Sequence, residues 1–497
     1  MAWAIDWRRF GFALFDVAST AVLVWFGTGL FPLWPLLWFA PLPVLLFALR
    51  GAWWSTAATA FLAWLLGGLN LWHYFSTALG VPFAVRVEIV TIPALVFALA
   101  VLLFRALLGR GAEWRWSALL AFPAVWVSFE FIFNLTSPHG TAVSLSYSQL
   151  NFLPVLQLAA ITGPWGISFL LLLFPAGLAI GWHLRDTAPR RGMGVVTATL
   201  GAIVLVLVFG ELRLAQPLPG QRVRVGLAAS DLPANSGVAD AGAQTERLLR
   251  DYAAQAETLA ARGAQVIVLP EHLGEVVDPN TAIADGILQS LADKTGATIV
   301  VGLSHVSQAA MYNQARVYAA GAQVLSYNKH HLLPPFESRF KPGTALTLMP
   351  EQSGIWGVAI CKDMDFTGLS RQYGNAGAGL MLVPAWDFVL DRFEHGHIAV
   401  MRGVESGFSI ARAARGGFLT VSDDRGRILA ETRSNSAPFV TLLADVPVAH
   451  DTTVYLLLGD WFAWLVLAAL VATIVRMFQK SSTHSDQGNQ DTDAHPV

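Results

Sequence analysis

The chain has 497 residues, of which 54% are hydrophobic and only 13% are charged, and its mean hydropathy is +0.51. These values exclude an ordinary soluble protein and favour a multi-span membrane protein. The net charge of −2, without a basic stripe interleaved with aromatic residues, argues against a nucleic-acid partner.

The first 215 residues contain about seven apolar runs long enough to cross the roughly 30 Å hydrocarbon layer of a bilayer. These runs, and an eighth near the carboxyl terminus, lie at residues 10–26, 32–49, 53–72, 84–108, 116–133, 166–182, 195–209 and 455–478. We therefore predict a membrane domain over residues 1–215 and a carboxyl-terminal transmembrane helix over residues 453–478. The polar tail, residues 481–497, is predicted to be disordered and cytoplasmic.

The basic residues of the membrane part are concentrated in alternate loops. Residues 134–165 contain no Lys or Arg, and Arg86 is the exception on that side. By the positive-inside rule, this distribution predicts a cytoplasmic amino terminus and an extracytoplasmic segment between the seventh and eighth runs. The loops predicted to be cytoplasmic carry Arg8, Arg9, Arg50, Arg105, Arg110, Arg115, Arg185, Arg190 and Arg191.

Residues 221–447 have a different pattern, with short apolar runs separated by Gly, Pro and Asn. Such spacing is typical of alternating strands and helices and predicts an α/β domain with its own core. The predicted strands lie at residues 223–228, 266–270, 298–303, 379–383 and 418–422. Helices are predicted at residues 245–262 and 398–408, and a hairpin is predicted at residues 314–327, turning at Gly321.

Three polar residues lie at the ends of apolar, strand-like runs in this domain: Glu271, Lys329 and Cys361, the only cysteine. A cysteine nucleophile needs a base, which Glu271 could supply, and Lys329 could favour the thiolate and donate to an oxyanion. Taken singly, a buried structural cysteine, a salt-bridged glutamate and a surface lysine are the commoner interpretations. Their joint occurrence in this order favours acyl transfer through a thioester.

The Glu271, Lys329 and Cys361 pattern resembles that of the nitrilase superfamily. The stretch from Lys329 to Glu337 more closely resembles the apolipoprotein N-acyltransferases, in which a second glutamate follows the lysine; Glu337 would be that glutamate. Similarity to that family extends to residues 402–416 and to residues 147–169 of the membrane part. The resemblance implies a multi-span α-helical membrane domain joined to an α/β nitrilase-like domain, a four-layer α-β-β-α sandwich centred on Cys361.

The chain departs from the family pattern close to the proposed nucleophile. Lys362 and Asp363 follow the cysteine where the family usually has an aromatic residue and a glutamate. The family's Asn-Asp-x-Trp-Phe stretch is replaced by residues 384–388, which include Trp386. We therefore name Lys362, Asp363 and Trp386 as candidate pocket residues.

The resemblance implies a bacterial inner-membrane enzyme with its catalytic domain in the periplasm and with no cofactor. Its partners would be the bilayer, a phospholipid acyl donor and a diacylglyceryl lipoprotein whose amino-terminal amine accepts the acyl chain. Histidine pairs such as His395 and His397 have no third ligand at convincing spacing, so no metal is expected. Two alternatives remain open: a membrane-tethered, amidase-like carbon-nitrogen hydrolase with the same triad, and a non-enzymatic lipid-binding protein.

Overall fold

The computed structural model describes residues 7–217, 220–232, 237–278, 281–448 and 450–490. Up to residue 217 the described chain is built of helices and short connections. Helices α1–α11 are Trp7–Gly27, Trp34–Leu37, Leu42–Ala48, Trp53–Gly68, Trp72–Thr77, Phe83–Leu108, Arg115–Thr136, Leu153–Leu156, Ala159–Thr162, Pro164–Leu184 and Pro189–Ala215.

Within the described ranges, five helical segments are long and apolar enough to cross a membrane: Phe83–Leu108, Ala112–Thr136, Pro164–Leu184, Pro189–Ala215 and Trp461–Gln479. Their outward positions are apolar, since Leu95 on α6 and Leu205 on α11 are exposed. Such helices expose apolar side chains where lipid replaces water as the surroundings. The protein is therefore a membrane protein.

The run at residues 32–49 differs from the continuous span predicted for it. It forms two short helices, α2 and α3, because Pro41 and Pro43 interrupt the helical hydrogen-bond pattern between them. The 15 residues from Trp34 to Ala48 would extend about 22 Å even as one helix, which is shorter than the roughly 30 Å hydrocarbon layer.

The strands occupy the chain from Gln221 to Val448 and form two sheets. Strands β1–β13 are Gln221–Ala229, Val266–Val268, Glu275–Val277, Thr298–Val306, Met311–Tyr318, Leu325–Asn328, Thr347–Glu351, Gly354–Val358, Ala378–Trp386, Ser409–Arg415, Phe418–Ser422, Ile428–Arg433 and Val440–Val448. The first sheet has the order β13-β1-β2-β4-β5-β6, with β3 also paired to β4, and the second has the order β12-β11-β10-β9-β8-β7.

One apolar core fills the space between the two sheets, and it joins residues such as Val225 and Val268 of the first to Leu382 and Ile410 of the second. Helices α12 (Ala243–Ala261) and α13 (Thr281–Thr295) cover the outer face of the first sheet. Helices α14 (Thr367–Asn375) and α15 (Arg392–Ser406) lie on the second. The fold is therefore the α-β-β-α sandwich that the resemblance implied.

Helix α15 lies between the sandwich and the membrane helices. Ala399 packs with the core of the sandwich, whereas Ile398, Met401 and Val404 belong to the core of the helical part. Every residue of α15 from position 396 to position 406 is buried, so the helix is enclosed on both sides. The sandwich and the helical part are thus packed together through α15.

The chain ends in α16 (Val454–Leu458) and α17 (Trp461–Gln490). Helix α17 continues to Gln490, into the stretch predicted to be disordered. No Gly or Pro, the residues that most disfavour a helix, occurs between Trp461 and Gln487. The rest of that predicted tail, residues 491–497, lies outside the described residues.

We predict that Gly407→Ala destabilises the protein by at least about 2 kcal/mol, since Gly407 ends α15 with φ +74° in the left-handed region. An added Cβ would lie 1.7 Å from the carbonyl oxygen of Asp451. Gly286→Ala is the matched control: it lies inside α13 with open space around it, and should stabilise by roughly 0.5–1 kcal/mol. Thermal unfolding in detergent measures both, and equal melting temperatures would contradict this packing.

Candidate active site

Glu271 follows β2, which lies between the parallel strands β1 and β4 inside the first sheet. Its side chain is buried, and its neighbour across the sheet is Gly302 of β4. An added Cβ on Gly302 would lie 2.4 Å from the Cα of Glu271, so this approach requires a glycine. The backbone N–H of Glu271 donates to the carbonyl oxygen of Ala385 in the second sheet, 3.3 Å away.

Lys329 follows β6 and is buried between two carboxylates. Its Nζ donates to Glu271 Oε1 at 2.8 Å and to Glu337 Oε2 at 2.9 Å. Asn313 of β5 donates from Nδ2 to both glutamates as well, at 2.6 Å to Glu271 and 2.5 Å to Glu337. The result is a closed cluster in which each carboxylate accepts two or more hydrogen bonds.

Glu337 has two further partners. Its Oε2 accepts a hydrogen bond from the backbone N–H of Leu333 at 2.7 Å, and its Oε1 lies 3.2 Å from Nε2 of His272. The other ring nitrogen of His272 lies 2.6 Å from the hydroxyl of Ser304 on β4. Glu337 is thereby fixed at both of its oxygens, and through it so is the ammonium of Lys329.

Cys361 begins the turn after β8 with φ +43°, a left-handed conformation that is uncommon for a residue other than glycine. Such a backbone costs on the order of 1–3 kcal/mol and persists only where the surroundings enforce it. The sulfur donates to the carbonyl oxygen of Trp386 at 3.6 Å and lies 4.0 Å from Nη2 of Arg412. The strained turn presents Sγ towards these groups at the end of the strand.

Asp363 joins the segment after Lys329 to the turn that carries Cys361. One carboxylate oxygen accepts from the backbone N–H of His331 at 2.8 Å, and the other accepts from that of Ile360 at 3.0 Å and from the hydroxyl of Tyr327 at 2.8 Å. The side chain is fully buried. Asp363, named above as a candidate pocket residue, thus holds the lysine and cysteine segments in register.

The charges of the site act on one another strongly. Burial opposes the charge of Lys329, but the carboxylates of Glu271 and Glu337 outweigh it and hold the pKa of the ammonium well above its usual range. Burial likewise opposes the charge of Glu337, yet Lys329 and His272 hold its pKa well below the usual range. Lys329 and Glu337 are therefore both ionised at neutral pH.

The pKa of the Cys361 thiol, in contrast, is shifted in the direction that favours the uncharged form. Burial, and then the negative charge of Glu271, raise its pKa well above the usual range, against the opposing effects of Lys329 and Arg412. The resting thiol is therefore protonated at neutral pH, and an attack by sulfur requires a base to remove the proton.

Two family models match the chain. The apolipoprotein N-acyltransferase amino-terminal domain matches residues 20–177, and the carbon-nitrogen hydrolase domain matches residues 238–449. The chain belongs to the apolipoprotein N-acyltransferase family. It is an N-acyltransferase of the carbon-nitrogen hydrolase superfamily, and this family membership favours acyl transfer over the amidase-like alternative.

Individual apolipoprotein N-acyltransferases are similar in sequence to most of this chain. An apolipoprotein N-acyltransferase of Geobacter metallireducens is 26% identical over 438 residues, covering 81% of this chain and 82% of that protein. One from Gloeobacter violaceus is 26% identical over 494 residues, covering 88% and 89%. Among solved structures, an amidase from Nesterenkonia is 22% identical and covers 47% of this chain and 93% of its own, with a TM-score of 0.39.

The other two candidate pocket residues of this N-acyltransferase are Trp386, which contacts the sulfur through its backbone, and Lys362, which follows Cys361 in the chain. Trp386 supplies the carbonyl oxygen that accepts from the thiol, while its ring stacks under the guanidinium of Arg415, 3.7 Å from the ring centroid. Lys362 lies 3.5 Å from Asp365. The carbonyl oxygen of Asp365 accepts from the hydroxyl of Thr141 in the helical part at 2.8 Å, so the turn that carries Cys361 contacts the membrane part directly.

Glu271, His272 and Glu337 have ligand atoms close enough together to surround a metal ion. The ammonium of Lys329 already lies between the two carboxylates, at 2.8 and 2.9 Å, and supplies the positive charge there. The carboxylates of Glu271 and Glu337 therefore serve as partners of the Lys329 ammonium rather than as metal ligands.

Asn313 and His272 were not predicted from the sequence to be parts of the site, and neither was the ion pair that the structure forms between Arg412 and Asp387. Arg412 lies within the buried strand β10 and Asn313 within β5. A charged or amide side chain inside a buried strand was the available signal, because such a group must find a partner.

We predict that alkylation of Cys361 by iodoacetamide is slow at pH 7 and still accelerates above pH 9, because the raised pKa of the thiol leaves little thiolate below that range. As the only cysteine, Cys361 makes the label specific in the full-length protein. Mass spectrometry of the protein over pH 6–10 measures the rate, with glutathione as the free-thiol reference. A rate that reaches its plateau below pH 8 would contradict the shift.

Proposed function

We propose that this enzyme takes an acyl chain from a phospholipid onto Cys361 as a thioester and passes it to the amino-terminal amine of a diacylglyceryl-cysteine lipoprotein. The observation that carries the proposal is the position of Cys361. The charges of Glu271, Lys329 and Arg412 act on its sulfur, and the turn that carries it contacts the membrane part through Thr141. A cysteine nucleophile beside a membrane domain suits a lipid substrate better than a soluble amide.

In the first half-reaction, Glu271 accepts the thiol proton and Sγ attacks the carbonyl carbon of the phospholipid ester. Lys329 donates a hydrogen bond to the oxyanion of the tetrahedral intermediate. The intermediate collapses when the carbon–oxygen ester bond breaks, and Glu271 returns the proton to the leaving alkoxide. The products are a thioester on Cys361 and a lysophospholipid.

In the second half-reaction, the α-amine of the acceptor attacks the thioester carbonyl. Glu271 accepts the proton that the amine loses, and Lys329 again donates to the oxyanion. The carbon–sulfur bond breaks, an amide forms, and the thiolate of Cys361 recovers the proton from Glu271. The enzyme returns to its starting state after two separate chemical steps, which predicts ping-pong kinetics.

Glu337 acts through Lys329 in this scheme. It accepts one hydrogen bond from the ammonium while Glu271 accepts another, so the lysine stays charged and oriented when Glu271 becomes protonated. His272 and Asn313 hold Glu337 in turn. The proposed catalytic residues are therefore Glu271, Lys329 and Cys361, with Glu337 as a positioning residue.

We further propose that residues 221–447 form the catalytic domain, that they face the periplasm, and that the helical segments anchor the enzyme in the bacterial inner membrane. The distribution of Arg and Lys among the loops supports this orientation. Such a location would give the active site access to phospholipids and to lipoproteins at the outer surface of that membrane.

A carbon-nitrogen hydrolase that releases its acyl group to water is the second candidate. Lys362 and Asp363 favour it, because these residues stand where the family usually has an aromatic residue and a glutamate. The two reactions share the thioester and differ only in the nucleophile that resolves it.

We predict that protein purified with phospholipid carries an acyl thioester on Cys361, and that a synthetic diacylglyceryl-cysteine peptide removes it. Intact-protein mass spectrometry detects the acyl mass, and the peptide should gain the same mass. Cys361→Ser, the matched control, should form no thioester. Discharge into water at the same rate without the peptide would contradict the transferase and support the hydrolase.

We also predict that a reporter enzyme active only outside the cytoplasm is active when fused after Ser230. The same reporter fused after Arg110, in a loop assigned to the cytoplasm, is the control and should be inactive. Activity at Arg110 and none at Ser230 would overturn the proposed orientation.

A further inference from the structure

Arg412 is a buried cation within reach of the nucleophile. It lies within β10, its side chain is 1% exposed, and its Nη2 is 4.0 Å from Sγ of Cys361. A guanidinium in a buried strand is costly unless it is paired. The charged groups that act on the sulfur are Glu271, Lys329, Arg412 and Asp387.

Asp387 supplies the partner of Arg412. Its two carboxylate oxygens accept from Nη1 at 2.8 Å and from Nη2 at 2.5 Å, a bidentate arrangement that fixes the plane of the guanidinium. Because Asp387 follows β9 and β9 pairs with β10, the two residues are neighbours across the second sheet. The geometry holds one edge of the guanidinium against the sulfur.

A second cation, His395 of α15, lies on the other side of Asp387. Its Nδ1 is 3.8 Å from Asp387 Oδ1 and 3.5 Å from Asp391 Oδ2, and the hydroxyl of Tyr74 on α5 donates to Asp391. Asp365 and Glu394 also act on His395. A chain of ion pairs and hydrogen bonds thus runs from Cys361 to a helix of the membrane part.

We propose that Arg412 is a second activating cation of this enzyme, held against the Cys361 sulfur by Asp387, and that it stabilises the thiolate alongside Lys329. The two cations are placed differently. Lys329 is shared with Glu271 and Glu337, whereas Arg412 directs Nη2 towards Sγ from the second sheet. A thiolate that forms as Glu271 accepts the proton would therefore be stabilised from both sheets.

The groups near Asp387 limit the pH range over which the thiol can be measured without interference. The pKa of His395 is raised to about 10, against the effect of burial, because Asp391 and Asp387 face it. Burial and the nearby Asp387 raise the pKa of Asp391 to about 6. Burial raises the pKa of Glu394 to about 7, so this carboxyl group loses its proton near neutral pH. Between pH 8 and pH 9 the charges of His395, Asp391 and Glu394 change little, so alkylation profiles compared over that range report the thiol.

The test is the pH dependence of Cys361 alkylation by iodoacetamide in the full-length protein. Arg412→Gln should raise the apparent pKa of the thiol by at least about one unit, seen as roughly tenfold slower alkylation at pH 8. Arg412→Lys keeps the charge without the bidentate fork and should lie between Arg412→Gln and the wild type. Arg425→Gln, which removes a buried arginine paired with Asp451, is the control and should keep the wild-type profile.

A second variant separates the loss of the cation from the misfolding that an unpaired buried carboxylate could cause. Arg412→Gln leaves Asp387 without its partner, whereas Arg412→Gln combined with Asp387→Asn leaves a neutral amide pair. The double variant should also raise the apparent pKa of the thiol, by less than the single variant, since Arg412 has a larger effect on the thiol than Asp387 has. Wild-type profiles for both variants would overturn the proposal.

This inference rests on the proposed role of Cys361, but alkylation needs no acyl donor or acceptor. An enzyme that transfers no acyl group but shows the shift would overturn only the proposed function. An enzyme that transfers acyl groups but shows no shift would overturn only the role of Arg412.

Discussion

The buried ammonium of Lys329, shared between the carboxylates of Glu271 and Glu337, is the interaction around which the site is arranged. Removing three charges from water costs several kcal/mol per ion unless the geometry is good and the remaining hydrogen bonds are made. Here Asn313 and the backbone of Leu333 make them. The arrangement requires β2, β5 and β6 to bring their ends together.

This cluster also explains the protonated resting thiol. Lys329 is held by two carboxylates, so much of its charge is offset before it can act on Cys361. Burial and Glu271 then raise the pKa of the thiol. A thiol that stays protonated and unreactive until a substrate carbonyl binds is suited to a site beside a lipid bilayer, where ester groups are abundant.

The membrane part contacts the elements that carry the site. Helix α15 packs on the second sheet with one face and on the membrane helices with another, and Thr141 and Tyr74 reach the loops around the cysteine. These contacts join the helical part to the turn of Cys361 and to the loop of Asp391.

The sequence pattern allowed an α/β domain and most of its strands to be predicted, and the family resemblance implied the four-layer sandwich. The roles of Glu271, Lys329 and Cys361 are still predictions. Alternating apolar runs specify strands such as Phe418–Ser422, which the structure places at the predicted residues. The break between α2 and α3 was not predicted, because hydropathy reports length and apolarity but not the effect of Pro41 and Pro43. The pairing of Arg412 with Asp387 was not predicted either, since it depends on which strands become neighbours.

The most direct test of the account is the single-turnover rate of thioester formation in Lys329→Met, with a phospholipid that carries a labelled acyl chain. Methionine keeps a similar length without the charge, so the variant removes both the oxyanion donor and the ion that holds the two carboxylates together. The account predicts a loss of at least about a hundredfold, in the range seen when one oxyanion donor is removed. A folded Lys329→Met protein that forms the thioester at the wild-type rate would contradict it.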